Sequence, residues 1–85
     1  MQRFFFNLIG SSADNDDTGV ELAGVASARV EAVRYAGQVI RDRPSMVWTS
    51  PDVRVEVTDS GRRLLSTIII MGIDAPAPDG SSMII

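Results

Sequence analysis

Few residues of this chain can do chemistry at neutral pH, because it contains no His, no Cys and no Lys. Without imidazole the usual neutral-pH base and the commonest nitrogen ligand are missing. Without thiols there is no disulfide, no thiolate metal site and no sulfur nucleophile, and Schiff-base chemistry goes with lysine. Carboxylates, hydroxyls, one Tyr and the arginines remain. An oxygen-liganded divalent cation is the chemistry such a set supports best. Residues 13–18, ADNDDT, are the place to seek it. Asp14, Asp16, Thr18 and Gly19 match positions one, three, five and six of a calcium loop, but position twelve is Val25, where a bidentate Glu is required. The weak metal candidates are therefore Asp14, Asp16, Asp17 and Glu21. A hydrolase built on them needs all four carboxylates to converge, whereas turn formation by itself explains the composition. The expectation is no catalytic residue, no cofactor and no enzyme.

The arginines are the other chemical resource. Arg29 falls about 40° from the centre of an apolar helical stripe. Its stem is expected to lie on a sheet while its guanidinium reaches Glu21 or Asp17, with anion or partner contact as the alternative. Arg54, Arg62 and Arg63 are close in sequence and, with Arg3, form either a basic patch or the charges that guard an edge strand. A net charge of −3 argues against broad phosphate-backbone binding. Phe4, Phe5, Phe6 and Trp48 read as packing residues rather than a base-stacking platform, since no basic residues interleave with the Phe run. The terminal Met83-Ile84-Ile85 offers an apolar peptide for a groove.

With 85 residues there is room for one domain and one core. Aromatic residues suit a pleated strand over residues 3–9, with Phe4, Phe6 and Leu8 on one face and Phe5, Asn7 and Ile9 on the other. A short strand at residues 19–22 returns beside it. From Val25 the period becomes helical: Val25, Ala28, Ala32, Ala36, Val39 and Ile40 form a stripe, and Pro44 closes the helix. Met46 and Trp48 fall in a loop. Val53, Val55 and Val57 alternate with Arg54, Glu56 and Thr58, and a turn at residues 59–62 leads to a last strand over residues 63–71. The favoured register sets Val57 against Leu64, Val55 against Ser66, Val53 against Ile68 and Glu56 beside Leu65.

The chain thus reads as α+β: a small antiparallel sheet of three to four strands in the order β-β-α-β-β, with one helix on one face. The domain is expected over residues 1–71, with a flexible tail over 72–85 rich in Pro, Gly and Ser. The core is expected from Phe4 or Phe5 with Leu8, Leu22, Val25, Ala28, Ala32, Ala36, Val39, Val53, Val55, Val57, Leu64, Ile68 and Ile70. Because Phe5, Ile9, Leu65, Ile69 and Met71 make the second sheet face apolar, they are the expected interface, for a homodimer or a protein partner. No signal peptide or membrane span is read, and a cytoplasmic location is the default.

Arg3-Phe4-Phe5-Phe6, the segment Asp16-Asp17-Thr18-Gly19-Val20-Glu21-Leu22, the helix Ala28-Arg29-Val30-Glu31-Ala32 and the closing hairpin from Val55 to Arg62 together resemble a family of short bacterial proteins of unknown function. The resemblance covers about residues 2–70 and brings no activity with it; Asn7 stands where members often carry His or Asp. A strand pair followed by an alanine-rich helix is also similar in layout to the antitoxin half of some toxin and antitoxin pairs. The functional expectation is a non-enzymatic interaction or regulatory module. Its alternatives are an antitoxin-like or nucleic-acid-contacting accessory and a metal-dependent enzyme on the acidic loop.

Overall fold

Alternating apolar residues near both ends of the chain build one antiparallel sheet, and the periodic alanines between them build the helix that lies on it. The structure is a computed structural model and describes residues 1–76. Most of the tail expected over 72–85 falls outside the described residues. In chain order the elements are β1 (Gln2–Ile9), β2 (Ala13–Asp14), β3 (Val20–Leu22), α1 (Val25–Asp42), α2 (Met46–Thr49), β4 (Val53–Thr58) and β5 (Leu64–Ile70). The sheet runs β2-β1-β4-β5, and β3 pairs with β1 as well. The α+β class and the single principal helix are as expected. Two short elements are additions. β2 pairs with the end of β1, Leu8 opposite Asp14, inside what reads as a turn. α2 is one helical turn where a loop is expected, too short to show a period.

Helix α1 is held to the sheet by small side chains. Ala28, Ala32, Ala36 and Val39 are buried against Phe4, Phe6 and Leu8 of β1 and Val53, Val55 and Val57 of β4. The face of β1 that meets the helix is therefore the one carrying Phe4. Alanine lets the axis lie close to the pleat, so the contact is centred on the two middle strands. Val25, expected in the core, and Ile40, on the same stripe, flank that contact and stay 46% and 43% exposed. The helix ends where the Arg43 N–H donates to the Val39 carbonyl at 2.8 Å, one residue before Pro44.

The closing hairpin differs in register by two residues from the sequence expectation. Val57 faces Ser66, Val55 faces Ile68 and Val53 faces Ile70, while Thr58 faces Leu64. Leu65 is the extra residue of a β-bulge at this step. The bulge reverses the alternation: Leu64 turns to the outer face and is 54% exposed, and Leu65 packs toward the helix-side core. Glu56 consequently lies beside Thr67 rather than Leu65. The turn itself puts Arg62 at φ +64°, a position that glycine favours, although the glycine of this turn is Gly61. Asp59 Oδ1 accepts the N–H groups of Gly61 and Arg63, both at 2.9 Å.

Candidate interaction surface

The acidic loop is a structural device that continues the sheet. Between the β2 and β3 pairings, the edge of β1 away from β4 has no strand partner at Phe6, and Asp16 takes that place. Its Oδ2 accepts the Phe6 N–H at 3.1 Å, and its Oδ1 accepts those of Thr18 and Gly19 at 3.0 Å. The Asp16 N–H donates to Asn7 Oδ1 at 2.9 Å, and Asn7 Nδ2 reaches Glu56 O and Thr58 Oγ1. Burial pushes the Asp16 pKa up, but the backbone N–H groups of Gly19, Phe6 and Thr18, with Arg62 nearby, outweigh it and hold the carboxyl below the ordinary aspartate value. Gly19 closes the loop at φ +76°, where a Cβ would come within 2.9 Å of the Phe4 carbonyl oxygen.

The other acids lie apart. Asp14 reaches Arg43 at 3.7 Å, Glu21 reaches Arg3 at 3.4 Å, and Asp17 is exposed. Among the described residues no three acidic side chains gather at metal-binding spacing.

The expected basic patch is also dispersed. Arg54 lies on β4, a central strand, so it guards no edge; it pairs with Asp52 and, at 2.9 Å, with Glu56. Arg62 stacks 4.3 Å above the Phe5 ring and donates to the Asp16 carbonyl. Arg63 reaches Asp59 at 3.3 Å. Arg29 is exposed and makes neither the Glu21 nor the Asp17 pair expected of it. It is the one arginine with neither an ion pair nor a hydrogen bond among the described residues.

Apolar exposure concentrates on β5. Of the expected interface residues, Ile69 and Met71 are 66% and 71% exposed, whereas Phe5 is 7% exposed, covered from within the chain, and Leu65 packs inward. Ile9 is half-buried opposite Arg54. Leu64 joins Ile69 and Met71 on the outer face, which the Arg54 ion pairs otherwise make polar.

Among the described strands, none pairs with the outer edge of β5. The Phe6 N–H points toward the loop side of β1, so Phe5, Asn7 and Ile9 bond to β4 through Thr58, Glu56 and Arg54. The alternation across β4 then directs Val57, Val55 and Val53 to β5. There Ile68 and Ile70 bond inward, and Thr67 and Ile69 aim their N–H and C=O groups away from the sheet.

Above this edge runs a groove of about 710 Å³, walled by Val25, Arg29 and Val33 of α1 and by Leu65 and Ile68 of β5. The opposite flank of α1, with Glu31, Arg34 and Gln38, faces the acidic loop instead. The alanine stripe alone accounts for one buried face, so the sequence pattern does not single out the apolar flank. Its signal was present: beyond Ala36, and past Arg29, Val33, Ala26 and Val30 carry the apolar arc roughly 120° further round the helix.

Among the described residues no helix is long and apolar enough to cross a membrane. No curated protein and no solved structure matches the chain. A family profile does match it, over residues 3–71, from the first strand through the last. The chain therefore belongs to the family DUF6894, a domain of unknown function, consistent with the uncharacterised family its sequence resembles.

Proposed function

We propose that this domain is a non-enzymatic interaction module whose working surface is β5, offered to a protein partner or to a second copy of the chain. One observation carries the reading: residues 64–71 contain no charge, form the edge of the sheet, and expose Leu64, Ile69 and Met71. Edge strands that face only solvent are usually blunted by charge, proline or a central bulge. Here the bulge sits at Leu65, beside the turn, and the stretch from Ser66 to Ile70 is regular. The engagement of Asp16 by backbone N–H groups and of Glu21 by Arg3 speaks against a metal enzyme. Arginines tied to acids speak against nucleic acid.

The test is capture by the tagged full chain from an extract of its native host. Thr67→Pro removes only an outward N–H, and Ile69→Lys places a charge on the exposed face. Both are expected to abolish capture while the thermal midpoint moves by only a few degrees, about what a change near 1 kcal/mol produces. Capture retained by both variants refutes the reading.

A further inference from the structure

We infer that the groove between α1 and β5 takes an extended peptide that adds to β5 as a strand and places a carboxylate on Arg29. This deepens the interaction reading and rests on it. Three observations meet in one place. Thr67 and Ile69 present backbone groups that no described strand pairs, the match for strand addition. The groove beside them, open to solvent and about 710 Å³ in volume, sets valines of α1 with Leu65 and Ile68 beside Arg29, Ser66 and Thr67. The one arginine with no ion pair or hydrogen bond among the described residues stands in its wall.

The spacing of that wall specifies the peptide. Val25, Arg29 and Val33 recur every four residues, so they step along the helix by about 6 Å. Alternate residues of a strand step by about 6.6 Å. A strand that adds to β5 and also runs along α1 can set successive same-face side chains against valine, arginine and valine, and the complementary pattern is apolar-x-acidic-x-apolar. The intervening side chains point to the opposite face, beside Thr67 and Ile69. A second copy of this chain fits less well. Antiparallel pairing of two β5 strands about Thr67 brings two Arg29 side chains to the same seam, and neither β5 nor the apolar flank of α1 supplies an acid to meet them.

The experiment is selection from a displayed library of random octapeptides on the folded full chain, run in parallel on Arg29→Glu and Thr67→Pro. The wild type is expected to enrich peptides with one Asp or Glu between apolar residues. Arg29→Glu is expected to reverse the preference to Lys or Arg, and Thr67→Pro to lower recovery at least tenfold. The wild-type peptide should also slow amide exchange at Thr67 and Ile69, a readout that stands even if the proline variant unfolds. An acidic preference unchanged in Arg29→Glu, or a selected peptide that leaves those two amides unprotected, overturns the inference. So does failure to enrich any peptide. If β5-dependent capture persists in that case, only the peptide inference falls; if capture fails as well, the interaction reading falls with it. Concentration-dependent dimerisation abolished by Thr67→Pro assigns the edge to a second copy and likewise overturns the inference.

Discussion

Asp16 shows how a carboxylate that looks like a metal ligand in the sequence becomes part of a sheet. Its native pKa lies below the unfolded value, so the stability it supplies is complete above the ordinary aspartate pKa and is lost as pH falls through the native one. Asp16→Asn keeps the shape but cannot accept every N–H. It is expected to cost about 1–2 kcal/mol at neutral pH, the lower part of the range for a charged acceptor because the site is partly solvated. Urea unfolding at descending pH should show wild type and variant converging in acid; a gap that persists there contradicts the assignment. Arg62 holds a conformation unfavourable to a side chain and is retained by its stack on Phe5 and its bond to Asp16. Arg62→Ala and Arg62→Gly both lose those contacts, and only glycine relieves the backbone. The glycine variant should be more stable by about 1 kcal/mol, measured by the same unfolding curves. Equal stabilities would show that the positive φ carries no strain.

At the scale of elements, α1 and β5 were legible to different degrees, for physical reasons. The helix bounds follow from the 3.6-residue period and Pro44, and its buried residues follow from the alanines. The sequence could not show how far the sheet extends beneath it. Val25 therefore reads as buried and is exposed, as is Ile40 on the same stripe, and the open flank above β5 has no counterpart in the alanine pattern. For β5 the alternation gave the right faces beyond Ser66, but the bulge at Leu65 shifted the pairing by two and exchanged the faces of Leu64 and Leu65. A bulge has no strong sequence signal. The role of Asp16 was invisible because it depends on the gap between β2 and β3, a tertiary feature. The alanine packing itself is testable. Ala32 is fully buried, so Ala32→Leu must lift the helix from the pleat, and an overpacking cost of roughly 1–3 kcal/mol is expected in thermal unfolding. A neutral result would mean that α1 does not lie as close to the sheet as its alanines indicate.

For the molecule as a whole, the two flanks of α1 divide the surface. One side of the sheet is closed by β2, β3 and the acidic loop, beneath the polar flank of the helix, with its ion pairs made within the chain. The other ends in β5, uncharged and paired on its outer edge by no described strand, beneath the apolar flank that carries Arg29. This asymmetry underlies the proposal that the domain works by contact through one edge. Amide hydrogen exchange along β5, in the free chain at low concentration and in complex with its captured partner, tests that claim most directly. The free chain should show slow exchange at Ile68 and Ile70 and fast exchange at Thr67 and Ile69, and the latter pair should become slow on binding. Uniform protection of all four amides in the free chain, or fast exchange at Thr67 and Ile69 that persists in the complex, would contradict it.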